Sequence, residues 1–206
     1  MHRYHEYEPH EILRDTVKCF WIHEAEYSFE TDQDIAPDGC VELIFNFGDP
    51  YRLRKKPRPI TLPPAIIVGF QDKTIPLLLR GKLKVVAARL YAWGALALVQ
   101  DNVTTLANSV TPLKGWDALM ERLRSAVLEG KFEQAVAVLE EHLVRQSLAR
   151  TFDRRTIQAA AKLLHHTRGQ VRIAELADYC HMSVRQLERG FRQGVGASPT
   201  SFARTL

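Results

Sequence analysis

Two hydrophobic periods divide the chain. Over roughly the first hundred residues the apolar positions come in short runs with period two. Segments 17–24 and 41–47 alternate as strands, and the second places Val41, Leu43, Phe45 and Phe47 on one face. Asp38-Gly39 and Gly48-Asp49-Pro50 supply turn chemistry at its ends. Three further runs, 65–70, 75–79 and 83–90, are short and β-rich, the last two separated by Arg80-Gly81-Lys82. The pattern predicts a meander, a sandwich or a small barrel. Between the second and third runs, the charged stretch 52–59 ends in Pro57-Arg58-Pro59, and its prolines and charge predict a solvated loop rather than a central strand.

From Trp116 onward the period becomes helical. Segments 117–128 and 131–146 are amphipathic: Leu119, Leu123 and Val127 form one stripe, and Phe132, Ala135, Val136, Leu139 and Leu143 the other, with Glu129-Gly130 between. They read as two antiparallel helices that cover the β-domain, form a dimer seam, or do both. After a linker at 150–153, Ile157, Ala160, Ala161 and Leu164 recur at helical spacing, with Asp153 as a cap and Gly169 past the end. The fold class is therefore α+β. Residues 1–149 are expected to form a β-rich barrel or sandwich-like domain ending in the helix pair, and residues 150–206 a small all-α unit.

The most informative stretch is 173–193. Two short helices meet through about three residues, with Leu176 and Ala177 of the first facing Val184, Leu187 and Phe191 of the second, which is helix-turn-helix patterning. Ser183 and Gln186 spell a capping box, and Met182 and Leu187 a hydrophobic staple. Small Ala177 suits a close helix crossing. With the apolar stripe buried, Arg185, Arg189, Arg192 and Gln193 turn outward and Gln186 and Glu188 lie on the flanks. Arginines one turn apart suit the N7 and O6 acceptors of guanine in a major groove, while Arg154, Arg155, Arg172 and Arg192 suit phosphates. Gln193 joins that backbone-contacting set. A further helix begins with Ser198 as N-cap and Pro199 in its first turn.

Charge sharpens this division. The net balance of +4 hides an acidic start, with 3 Lys/Arg against 12 Asp/Glu in residues 1–50, a basic middle of 15 against 8, and a basic end of 10 against 4 in residues 150–206. A basic C-terminal unit fits a polyanionic partner. Three cysteines without CxxC spacing encode neither a disulfide framework nor a zinc site, and a polar N-terminus with no long apolar stretch predicts a cytoplasmic protein without a membrane partner.

The segment 182–205, MSVRQLERGFRQGVGASPTSFART, resembles the first helix-turn-helix and the start of the connecting helix of the AraC/XylS family of bacterial transcription regulators. The segment 37–50 and Gly69-Phe70-Gln71 resemble the β-rich N-terminal domain of one branch of that family. The resemblance implies a sensing or dimerising domain joined to a DNA-binding domain, with Arg185, Glu188 and Arg189 at the base-reading positions. It implies double-stranded DNA as partner, with a small-molecule effector, RNA polymerase and a second copy of the chain as further expected partners, and no cofactor. The chain departs from the family pattern at three points. His181 stands where Gly is usual, which predicts strain in a left-handed turn. Arg172 replaces a small polar cap. The second helix-turn-helix is missing, so the sequence reads as a regulator truncated in its connecting helix, with weak, steeply salt-dependent DNA affinity. An effector-binding or dimerising module without autonomous DNA binding is the alternative.

Other chemistry is weakly supported. The eight histidines show no metal-ligand spacing, and His2, His5 and His10 are expected on a flexible, exposed N-terminus. Asp38 and Glu42 flank a turn, Cys40 reads as a small buried side chain, and no nucleophile or phosphate-binding motif occurs, so no catalysis is expected. Trp21, Phe45, Phe47, Tyr91 and Trp93 either line an effector pocket or fill the core.

Overall fold

Side chains that alternate along two long strands give the sheet two apolar faces, and each face packs against something different. The computed structural model describes residues 2–99, 103–149 and 155–206. The strands β1 (His2–Tyr7), β2 (Val17–Ile35), β3 (Cys40–Asn46), β4 (Arg52–Leu53), β5 (Ile60–Thr61), β6 (Ala65–Val68), β7 (Ile75–Tyr91) and β8 (Val110–Pro112) form one antiparallel sheet. Its order is β1-β2-β7-β3-β6-β8, with β4 attached to β5 and β7. The helices are α1 (Ala95–Leu98), α2 (Val103–Leu106), α3 (Asp117–Leu128), α4 (Phe132–Leu148), α5 (Arg155–His166), α6 (Ile173–Tyr179), α7 (Val184–Val195) and α8 (Pro199–Ala203). The fold is α+β.

The two apolar runs expected on either side of Arg80-Gly81-Lys82 are one 17-residue strand. Gly81 adopts φ +79 opposite Tyr27, where the β2–β7 register shifts. A side chain there would meet the Asp49 carboxylate at 2.1 Å, and that carboxylate instead accepts the Lys82 N–H at 2.7 Å. Glycine thus lets the strand bend through a bulge without a turn. The N-terminus also departs from expectation, because β1 pairs with β2 from His2 to Tyr7 and is a sheet edge. The basic stretch after Tyr51 forms the tip of the small β4–β5 hairpin, and Arg54 pairs with Asp32 and Asp34.

On one face, Phe20, Ile22, Leu43, Phe45, Val86 and Leu90 pack with Leu123, Phe132, Leu139 and Leu143 of the helix pair, so α3 and α4 cover the sheet. The same continuous cluster takes in Leu164, Leu176, Leu187, Phe191 and Phe202. The helical unit is thereby seated on the β-domain. Trp93 anchors this seat: its ring stacks on Tyr91 at 4.5 Å and meets the edge of His165 at 5.5 Å and of Phe202 at 6.3 Å. Lys162 reaches Asp15 at 2.7 Å across the same boundary. The other face of the sheet curls around a second cluster that includes Trp21, Tyr51, Leu62, Ile66, Leu79 and Val85.

Candidate functional site

The two short helices expected within 173–193 form as α6 and α7. Cys180 ends α6, His181 takes φ +52, and the Met182 N–H reaches back to the Ala177 carbonyl at 2.9 Å while the His181 N–H donates to Asp178 at 3.0 Å. These two bonds close a Schellman turn around a non-glycine residue. The Ser183 N–H then donates to Gln186 Oε1 at 2.8 Å and the Gln186 N–H to Ser183 Oγ at 3.3 Å, completing the capping box. Leu187 and Phe191 are fully buried, and Ala177 fills the crossing. Gly190 lies against α5, where a Cβ would meet Ile157 at 2.4 Å. Val184, expected on the buried face, is instead 43% exposed, because the first residue of α7 lies beyond the reach of α6.

Arg185, Arg189, Arg192 and Gln193 are all exposed on one side of α7, and Glu188 is half-buried at its flank. Arg155 opens α5 and Arg172 precedes α6, both exposed; Arg172 makes no side-chain cap, as its residue type predicts. Arg154 and the expected cap Asp153 lie outside the described residues.

The second site is a cavity of about 320 Å³ inside the curled sheet. Of the five aromatic residues proposed from sequence, Trp21 lines it. The other four do not: Phe45 packs on Trp116 at 6.0 Å, Phe47 joins the cluster beneath the helix pair, and Tyr91 and Trp93 form the seat of the helical unit. Strand parity explains Phe45 and Phe47, while Tyr91 and Trp93 lie at and beyond the end of β7. Val41, Leu43 and Phe45 share one face of β3, which leaves Glu42 and Ile44 facing the cavity.

Residue types paired across strands build its polar end. Glu6 lies opposite Trp21, Cys19 opposite Arg89, and Arg89 opposite Glu42, in the sheet order β1-β2-β7-β3. Arg89 Nε donates to Glu42 Oε1 at 2.7 Å and Nη1 to Glu6 at 3.2 Å, and Asp38 lies 3.5 Å from Nε. The Trp21 indole N–H donates to Glu42 Oε2 at 2.7 Å, and the Tyr4 hydroxyl to Glu6 at 2.5 Å. Burial raises the Glu42 carboxyl above its ordinary range, with the Arg89 charge and both hydrogen bonds pulling the other way. At the rim, the ring nitrogens of His2 and His23 are 3.1 Å apart, and burial lowers the His23 pKa. Asp38 also accepts the Cys40 N–H at 3.0 Å, the turn role its position predicts, and burial pushes the Cys40 thiol up. The sequence reading missed Arg89 and the cavity role of Glu42. The available signal was a charged pair at cavity-facing positions of otherwise apolar strands. Among the described residues, no group of three or more His, Cys, Asp or Glu is placed to hold a metal, and no helix is long and apolar enough to cross a membrane.

A family model described as a domain of unknown function, DUF6597, matches residues 5–112, just over half of the chain. The chain belongs to the DUF6597 family. The DUF6597 match contains every cavity-lining residue except His2 and Tyr4, and it ends before α3 and the helices that follow it. No curated protein matches the chain. Solved structures with some likeness include the AraC-like transcriptional activator CuxR, at 12% identity over 91% of this chain and 82% of that one, with a TM-score of 0.39. An apo ToxT from Vibrio cholerae is 8% identical over 91% and 97%, with a TM-score of 0.34. ToxT bound to (E)-4-(8-methylnaphthalen-1-yl)but-3-enoic acid is 10% identical over 89% and 97%, with a TM-score of 0.29. Scores of this size leave function to be read from the residues of this DUF6597 chain.

Proposed function

We propose that this DUF6597 protein is a DNA-binding transcription regulator whose curled sheet holds a small-molecule effector. One observation carries the reading: α7 is sealed on one side by Leu187 and Phe191 and offers Arg185 and Arg189, one turn apart, on the other. The capping box fixes how the chain enters the helix, so both arginines project from a defined axis. In a major groove they meet base edges, while Arg155 and Arg172 lie toward phosphates. The resemblance of the segment 182–205 to AraC/XylS regulators supports the same assignment.

The test is a gel shift with DNA flanking the protein's own gene at several salt concentrations. Retardation that weakens steeply with salt, and loses its footprint in Arg189→Glu, is the expected result. No retardation at low salt overturns it. A second reading, an effector-binding module that signals through protein contacts, is favoured by the seating of α7 and α5 against the Trp93 corner of the β-domain. It predicts folded protein, ligand binding and no DNA retardation.

A further inference from the structure

The cavity has a polar end and an apolar length, and the charges at the polar end are unequal. Glu42, Glu6 and Asp38 all lie on Arg89. Two donor nitrogens of Arg89, Nε and Nη1, are already engaged by these carboxylates. The guanidinium therefore lacks the open fork that a ligand carboxylate or phosphate needs. Of these charged groups Arg89 and Glu42 line the cavity, while Glu6, Asp38 and Lys18, the other cation acting on this group, lie outside its lining, so three carboxylates face two cations and the polar end keeps one surplus carboxylate. Glu42, by contrast, accepts one hydrogen bond on each oxygen and keeps further lone pairs. Around it stand aromatic rings: Tyr4 lies 5.9 Å from Trp21 and 6.3 Å from His23, all three lining the cavity. The His2–His23 contact places two ring nitrogens at hydrogen-bond distance, so at least one of them accepts and that ring carries no charge.

A carboxylate surplus beside aromatic faces, in a partly desolvated site, is the arrangement that attracts an organic cation. Resting on the reading that this cavity is the protein's ligand site, we propose that it takes a small amphiphile with a cationic amine head. The ammonium sits against Glu42 and the faces of Trp21 and Tyr4. The apolar tail runs along Ile44, Ile66 and Leu79.

Titration calorimetry of the full chain near neutral pH, with octylammonium, octanol and octanoate, tests this. The three probes share one tail, so the head group decides. Octylammonium is expected to bind at least roughly tenfold tighter than octanoate, with octanol between. Glu42→Gln, whose one carbonyl oxygen accepts from either Trp21 or Arg89 while its amide nitrogen faces the other donor, should bring the ammonium-to-carboxylate ratio close to one. Tyr4→Ala at the rim, where Tyr4 is 48% exposed and outside the core, should weaken octylammonium several-fold and leave octanol unchanged. It serves as the test if the Glu42 variant fails to fold. Octanoate binding as tightly as octylammonium, a ratio unmoved in both variants, or no binding of any probe at millimolar concentration overturns the proposal. Gel shifts read α7 and not the cavity, so failure of this proposal and failure of the regulator reading are separate results.

Discussion

Arg89 and Glu42 are register partners across β7 and β3, and their side chains meet at 2.7 Å on the cavity face of an otherwise apolar stretch of sheet. Each is mostly shielded from water, so the pair is held by geometry and by the Trp21, Glu6 and Asp38 contacts around it. Removing Glu42 leaves the Trp21 indole N–H without its acceptor and Arg89 with only the longer contacts to the more exposed Glu6 and Asp38. Glu42→Ala should destabilise the fold by about 3 kcal/mol, and Glu42→Gln by clearly less, as measured by urea unfolding. Equal stability of Glu42→Ala and the parent chain would show that the pair contributes nothing to stability.

The turn between α6 and α7 carries His181 at φ +52. An L-residue in this conformation costs about 1–2 kcal/mol, part of which a glycine returns through its greater freedom when unfolded. His181→Gly should raise stability by about 0.5–1 kcal/mol with the Schellman bonds kept. A drop in the unfolding midpoint would contradict this.

Gly190 allows α7 to lie close on α5, with Ile157 at 2.4 Å from where a Cβ would stand. Gly190→Val should force the helices apart at a cost of about 1–3 kcal/mol. The loss should fall mainly on the helical unit, which hydrogen exchange resolves by comparing amides of α5–α7 with those of β2 and β7.

Three histidines, His23, His142 and His165, have their pKa lowered below 6.5, in each case first by burial. For His165 the charges of Lys18 and His166 add to the effect. A group whose folded pKa lies below its unfolded value binds fewer protons when folded. Its contribution to stability is whole above about pH 6.5 and is lost as the pH falls toward the folded value. Denaturation at pH 7.5 and 5.5 should therefore show a loss on acidification. Because His165 meets Tyr91 and Trp93 edge-on, His165→Phe should remove part of that slope. An unchanged slope would mean that protonating His165 is not felt at the seat.

Within the DNA-binding proposal, Arg172→Ala should weaken binding uniformly across sequences and lower the salt slope by about one, as expected of a phosphate contact. Arg185→Ala should instead cost about 1–3 kcal/mol and relax preference at one base position. Fluorescence anisotropy on matched and single-mismatch duplexes separates the two; a uniform loss from Arg185→Ala would move it to the phosphate class.

Local rules made much of this molecule readable. The bounds of α3, the capping box at Ser183 and the face shared by Val41, Leu43 and Phe45 all follow from period and spacing. What stayed hidden depends on contacts between distant segments. Gly81 reads as a break until Asp49 is placed beside it. His2 reads as a free tail until β2 offers it a partner strand. Phe45 and Phe47 are as aromatic as Trp21, and strand pairing decides which face each serves; Tyr91 and Trp93 are drawn away by the helical unit that packs at the end of β7. Glu42 and Arg89, 47 positions apart, show their relation only once β3 and β7 are in register.

The strand β7 runs past the cavity-facing Arg89 and ends at Tyr91, whose ring lies flat on Trp93 at 4.5 Å. Two residues of extended backbone therefore separate the polar end of the cavity from the seat of the helical unit. Extended chain in a paired strand has little slack. Any displacement of the Arg89 backbone would have to be taken up within Leu90 and Tyr91, both of which are paired to neighbouring strands.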